Sequence, residues 1–207
     1  MTRKESGLGL SGLIEVIGAL IHSSLKREFE EEQVRVAYMG SPLKVFVEDD
    51  YVELVRGSEY TLPRWLALYL VEKNYARFAG EGVDVAKVSR LAFNESRSRS
   101  QLKFEKLEGY FYSLVKLEVE MMLKSHKSID SVAKAQELLD RLNKLVTNTR
   151  NLYRYRLSKL MTLLTLQDAP PDVLANLSEE EKQLYEALKT LLEIFNARVF
   201  EVGGGGK

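Results

Sequence analysis

His22 and His126 are the only imidazoles in the chain, and cysteine is absent. The missing thiols exclude disulfides, thiolate nucleophiles and thiolate metal sites together, which fits a cytoplasmic protein. Metal chemistry would have to rest on scattered carboxylates. Asp49, Asp50 and Glu53 are close in sequence, but Asp49-Asp50 separates two β-prone runs as a hairpin turn would. Glu118 and Glu120 fall on different faces of a helix, so they do not form an acid pair. Glu118 neighbours Leu114 and Met122 and is a candidate buried or interface carboxylate. His126, beside the end of a helix, reads as a capping residue, and His22 as a packing residue. Neither "IHSS" nor "SHKS" provides the strand-turn-helix elbow that activates a serine. "SGLGLSG" follows no strand and leads into no Gly-Lys-Ser/Thr, so it lacks the context of a phosphate-binding loop. The expectation is a chain with no catalytic centre, no metal and no cofactor.

Cationic runs carry the stronger chemical pattern. "NESRSRSQLKFEK" holds Arg97, Arg99, Lys103 and Lys106, and "NTRNLYRYRLSK" holds Arg150, Arg154, Arg156 and Lys159 with Tyr153 and Tyr155 interleaved. Arg97, Arg99, Arg150, Arg154, Arg156 and Lys159 are therefore candidates for DNA binding. The competing reading makes them solvated or interfacial cations, since Arg154 and Arg156 point to different sides of a helix and Tyr153 fits a packed stripe. Thirty basic and thirty acidic residues cancel, so no global field recruits a polyanion and any such site must be local. Trp65, Tyr69, Tyr75 and Phe78 pose a similar choice between a base-stacking platform and burial at a domain seam. Large amphipathic rings one turn apart favour burial.

The elements that position these residues change character along the chain. The apolar run from Leu8 to Ile21 is too short and too interrupted to span a membrane, and it reads as a packed N-terminal helical extension, residues 1–30. Residues 31–60 read as a small β domain, with strands over Val34–Tyr38, Lys44–Val47 and Tyr51–Val55. Gly40-Ser41-Pro42, Asp49-Asp50 and Gly57 break between them. From Thr61, an N-cap candidate, the chain reads as an α-helical domain, residues 61–200, whose first helix runs through Trp65 and Tyr69 towards Phe78. A short helix over Val83 to Asn94 follows, and then Asn94 to Gln101 as a polar linker or a frayed helix end. Helices are then expected at Glu105–Lys124 and Leu138–Leu166. The apolar residues of the second include Leu139, Leu142, Val146, Tyr153, Leu157 and Leu160. Pro170-Pro171 ends that run, and Ser178 with Glu181 forms a capping box for a last helix, Glu179 to Asn196. Residues 201–207 read as a flexible tail. The fold class is α+β, mainly α: a small N-terminal β domain followed by an α-helical bundle domain.

The succession "VRVAYMGSPLKVFVEDDYVELVRGSEYTLPRWLALYLVEKNYARF", "LEGYFYSLVKLEVEMML" and "AKAQELLDRLNKLVTNTRNLYRYRLSKL" resembles a subunit of GINS, the replication-fork complex of archaea and eukaryotes. It looks like the archaeal type, of the class with the β domain first. The motifs are Pro63, Trp65, Leu66 and Ala67 at the helix start, Tyr110-Phe111-Tyr112 before an apolar helix, and Thr149-Arg150 with Arg156-x-x-Lys159-Leu160 on the long helix. The resemblance covers about Glu28 to Leu166 and leaves the apolar N-terminal extension unexplained.

That resemblance implies a non-catalytic, cytoplasmic and nucleoid-associated protein. It would assemble with a complementary GINS subunit in a 2:2 heterotetramer and link the MCM helicase with a Cdc45/RecJ-like protein, with DNA met mainly through the assembled complex. Pro63, Trp65, Leu66 and Tyr69 become domain-junction candidates on this reading. Phe111, Leu114, Val115, Met122, Leu142, Val146 and Tyr153 become subunit-interface candidates, although the same residues can equally form the intrachain core. The rival is an autonomous helical DNA-binding protein that uses its basic helix faces.

Overall fold

Val34, Val36 and Tyr38 alternate with Arg35 and Ala37, and in the computed structural model this alternation becomes β1 (Gln33–Tyr38), with Val36 and Tyr38 buried. The structure describes residues 9–47, 49–80, 82–126, 131–166 and 168–200. The chain divides into two compact units, Met1–Glu81 and Gly82–Lys207. The expected order of a small β region before a helical bundle is what the chain forms. The division falls after Glu81, however, and not at the expected boundary between residues 60 and 61.

In the first unit, helix α1 (Leu10–Glu31) leads directly into β1. Strands β2 (Leu43–Val47) and β3 (Asp50–Leu54) pair antiparallel as a hairpin in which Val45 faces Val52, close to the expected strands. Two further strands were not expected: β4 (Glu59–Pro63) and β5 (Ala76–Phe78) flank β1 in a three-stranded antiparallel sheet, β4-β1-β5. Between them lies α2 (Arg64–Glu72). Thr61 is therefore a strand residue paired with Arg35, and the N-cap position falls to Pro63. The helix stops well short of Phe78 because Asn74 takes the left-handed conformation (φ 61°), and the Tyr75 amide closes the end on the Leu70 carbonyl. The chain can then return to β1, where Ala76 lies opposite Tyr38. Val36, Tyr38, Leu54, Leu62, Leu66, Ala67, Leu70 and Ala76 form the core.

The second unit is helical: α3 (Val85–Arg97), α4 (Phe111–His126), α5 (Val132–Leu163), α6 (Pro171–Leu174) and α7 (Glu179–Phe200). Asp84 caps α3 through the Lys87 amide at 2.6 Å. The stretch from Asn94, expected as a polar linker or a frayed helix end, is helical as far as Arg97, so it is the end of α3. The expected helix from Glu105 starts only at Phe111, because residues before it bond elsewhere: the Leu107 amide donates to the Asn176 carbonyl, and Gly109 has φ 49°. The Ser178–Glu181 capping box is present, with the Glu181 amide on Ser178 Oγ and the Ser178 amide on Glu181 Oε2. Val88, Leu91, Phe111, Val115, Leu145 and Leu152 are among the residues of the main core, and Leu160, Leu163 and Tyr185 make a second cluster. The expected flexible tail, residues 201–207, and the His126 side chain lie outside the described residues.

One polar side chain fastens α1 to the first unit. Arg64 is buried, donates from Nε to the Phe29 carbonyl at 3.1 Å, pairs with Glu32, and lies 4.2 Å over the Phe29 ring. Arg64→Ala should lower the stability of this unit by about 1–3 kcal/mol through the lost bonds and packing. Hydrogen exchange should speed up at the α1 amides near Phe29 while α4 and α5 keep their protection. Unchanged exchange there would show that α1 is held by something else.

Candidate functional site

The six cations proposed for DNA do not share one environment. Arg156 and Lys159 are 0% and 2% exposed, so neither can meet a phosphate in this fold. Arg97, Arg99, Arg150 and Arg154 are exposed. The correction has a geometric cause. Leu145, Leu152, Arg156, Lys159 and Leu163 follow at intervals of 7, 4, 3 and 4 residues, which places both cations on the buried stripe of α5. The expected stripe through Leu139 and Tyr153 is rotated away from it, and both of those residues are exposed.

Inside, Arg156 uses its whole guanidinium. Nε and Nη2 grip Glu181 in a bidentate pair at 2.7 and 2.6 Å. Nη1 donates to Glu95 Oε1 at 2.6 Å and to the Glu105 carbonyl at 2.7 Å, and Nη2 reaches the Asn176 carbonyl at 3.1 Å. Lys159 Nζ pairs with Glu95 and donates to Ser98 Oγ and the Lys103 carbonyl. Tyr112 donates its hydroxyl to Glu181 Oε1 at 2.7 Å. Phe104 lies beneath both cations, at 5.0 Å from the guanidinium carbon and 5.5 Å from Nζ. Two cations face two carboxylates, so the cluster is neutral overall.

Each element contributes for a local reason. Glu95 continues the α3 face of Val88, Leu91 and Ala92, and Glu181 is fixed by its capping role at the start of α7. The neighbouring Glu180 caps α4, accepting from the Ser113 amide and hydroxyl at 2.9 and 3.0 Å. Burial opposes the Arg156 charge, but the hydrogen bonds and attraction of Glu181, with Tyr112 and Glu95, more than offset this and raise its pKa. Burial, followed by the charge and hydrogen bond of Glu181, pushes the Tyr112 phenol well above its ordinary value. Chemically the cluster is a structural lock: its ionic groups are buried and engaged with one another.

The interface candidates divide in the same way. Phe111, Val115 and Met122 belong to the core of the helical unit, with Leu114 and Leu142 packed against it. These five are accounted for by the chain's own fold. Val146 is half-buried, and Tyr153 is exposed with its ring edge-on to Tyr112 at 5.7 Å. Of the junction candidates, Pro63 and Leu66 are buried within the first unit, whereas Trp65 and Tyr69 are 49% and 54% exposed on α2. The expectation that both rings are locked into a seam is therefore corrected, because α2 turns Leu66, Ala67 and Leu70 to the sheet and these rings away from it.

Sequence reasoning missed the anchoring role of Arg64 and the bare ends of two helices. Leu13, Ile14, Val16, Ile17 and Leu20 on α1 are exposed, as are Leu191, Leu192, Ile194, Phe195, Val199 and Phe200 on α7. The apolar runs themselves were visible; which half of each helix finds a cover was not. Among the described residues, no group of three or more His, Cys, Asp or Glu is placed to hold a metal ion, and no helix is long and apolar enough to cross a membrane. No protein-family model matches the chain, and no curated protein matches it.

Arg156→Met leaves Glu95 and Glu181 buried without their shared partner, and should destabilise the helical unit by about 3–5 kcal/mol in denaturant unfolding. Tyr112 has the opposite leverage at alkaline pH. Its folded pKa lies above the unfolded value of about 10, so its stabilisation is complete below that pH and is lost as pH rises towards the folded pKa. Tyr112→Phe should make the fall in stability above pH ~10 shallower than in the parent chain. Equal slopes would show that Tyr112 ionises alike in both states.

Proposed function

We propose that this chain is a non-catalytic structural subunit of a GINS-type DNA replication complex. It pairs with a complementary GINS subunit in a 2:2 heterotetramer, and the assembly links the MCM helicase to a Cdc45/RecJ-like partner. A cytoplasmic, nucleoid-associated location goes with this role, and DNA is met mainly through the assembled complex. Two features support the family reading: the motif succession from "VRVAYM" to "LSKL", and the order of a small β unit before a helical unit.

The observation that carries the assembly role is the second half of α7. Every residue from Leu191 to Phe200 is exposed, yet six of them are large and apolar. Tyr185, Leu188, Leu192, Phe195 and Val199 follow at 3, 4, 3 and 4 residues, the spacing of a helix-packing seam. The seam starts buried at Tyr185, is half-buried at Leu188, and continues outward with none of the described residues of its own unit covering it. A contiguous apolar strip of this kind suits a partner helix better than water. The occupant on this reading is the helical domain of the complementary subunit. The rival of an autonomous DNA-binding protein loses two of its six candidate cations, because Arg156 and Lys159 are sealed in the core.

Affinity purification of the tagged chain from its native cell should recover a complementary subunit in equal amount, together with MCM. Leu192→Asp/Phe195→Asp should abolish that recovery. Both positions are exposed, so the melting of the isolated chain should change by no more than about 0.5 kcal/mol in equivalent stability. Recovery of the parent chain alone would overturn the assembly reading, and undiminished recovery with the double variant would remove α7 from the interface.

A further inference from the structure

Helices α3 and α5 pack with an unusual division of charge. Between Arg141 and Leu166 the sequence contains no aspartate or glutamate, and between Val85 and Lys103 it contains one, Glu95. That single acid is fully buried against Arg156 and Lys159. The charges that α3 and the stretch of α5 from Arg141 onward present to solvent are consequently all positive. Arg90, Arg97, Arg99 and Arg154 are exposed and have no ion-pair partner among the described residues.

Arg90, Phe93 and Arg97 are spaced at i, i+3 and i+7, so they form one outward stripe of α3. Phe93 is 59% exposed, with the Arg97 guanidinium 5.7 Å from its ring centre. On α5, Asn148, Asn151 and Tyr155 share an edge by the same spacing. Two contacts fix the helices side by side along that edge: Asn148 Nδ2 donates to Ser89 Oγ at 2.7 Å, and the Arg99 guanidinium lies 5.7 Å over the Tyr155 ring. The pairing of residue 89 with 148 and of 99 with 155 makes the helices run parallel. On α5 those contacts are seven residues apart, about 10 Å.

We infer that this outward face of α3 binds single-stranded nucleic acid, with Arg90, Arg97 and Arg99 neutralising phosphates and Phe93 stacking on an unpaired base. The inference stands on that face alone and does not depend on the assembly proposed above. A purely electrostatic partner such as an acidic peptide would need the cations but not the bare ring between them. Stacking needs a base face, which a duplex keeps inside its own stack. Asn148 and Asn151 add polar groups along the α5 edge without adding any negative charge.

The test uses the full chain and a fluorescein-labelled oligothymidylate of about 20 nucleotides, with anisotropy followed as salt is raised. Binding should weaken steeply with salt and should exceed binding to a duplex of the same length. Phe93→Ala should weaken it about fivefold or more. Arg90→Ala/Arg97→Ala should reduce the slope of log K against log salt by about 1.4. Arg27→Ala/Arg56→Ala, exposed cations of the first unit, should change neither quantity. Circular dichroism and melting of each variant establish that it is folded. No binding at about 50 mM salt by the folded parent chain would overturn the proposal. So would binding that is indifferent to Phe93 and equally displaced by polyglutamate, which would make this face a site for an acidic protein segment.

Discussion

The helical unit depends on a single guanidinium. Arg156 joins Glu95 of α3, Glu181 of α7 and the carbonyls of Glu105 and Asn176, and through Glu181 it reaches Tyr112 of α4. A leucine at this position would satisfy none of the two carboxylates and two carbonyls that converge there. The Asn176 carbonyl keeps the Leu107 amide, but the Glu105 carbonyl lies in a non-helical segment, so losing the guanidinium would strip a bond from it as well as uncover buried charges. Lysine could not replace it, because one ammonium cannot span Glu181 in bidentate fashion and reach Glu95 from the opposite side. Such a cluster adds little net stability relative to a well-packed apolar core, since desolvation offsets most of the attraction. Its stronger effect is on register: sliding α5 by one residue against α3 or α7 would separate several charge-assisted bonds at once.

The same lock shapes the outside of the unit. Glu95 is the one acid available to α3, and Arg156 and Lys159 hold it in the core. The outer cations of α3 are thereby left without an acid on their own helix, even though the chain as a whole is neutral. A neutral sum thus conceals a segregated distribution, which is why net charge excluded a global field and not a local one. The acids gather elsewhere: the first turn of α7 contains Glu179, Glu180 and Glu181, where the helix dipole and the amides of α4 use them.

Fold class was legible because it depends on period. Strand alternation at Val34–Tyr38, the β2–β3 hairpin around Asp49-Asp50 and the Ser178–Glu181 capping box all express local rules, and all appear where those rules put them. Two core cations were misread because a charge is ordinarily assigned to water. Their positions held the correcting signal: Arg156 and Lys159 continue the stripe of Leu145 and Leu152 to Leu163, while Glu95 continues that of Val88 and Leu91. Charges of opposite sign on the buried stripes of two helices call for each other, since neither can be buried alone. Periodicity supplies no such signal for the interface candidates. An apolar side chain looks the same in sequence whether its own chain or another covers it, and only the fold separates Phe111 from Phe195.

The stretch from Thr61 to Phe78 shows a second kind of ambiguity. Its composition favours one long helix, and Thr61 with Pro63 offers a plausible start. Neither signal weighs the alternative open to the chain, which is to give residues at both ends to β1. Pairing Leu62 with Val34 and Ala76 with Tyr38 completes a sheet around a strand that would otherwise have two bare edges. The helix is shortened to a crossover between the two outer strands, and Asn74 accepts the left-handed turn that permits the return. Trp65 and Tyr69 then face outward because Leu66, Ala67 and Leu70 already cover the sheet. The long-range demand of an unpaired strand outweighs local helix preference, and the exposed rings follow from that choice.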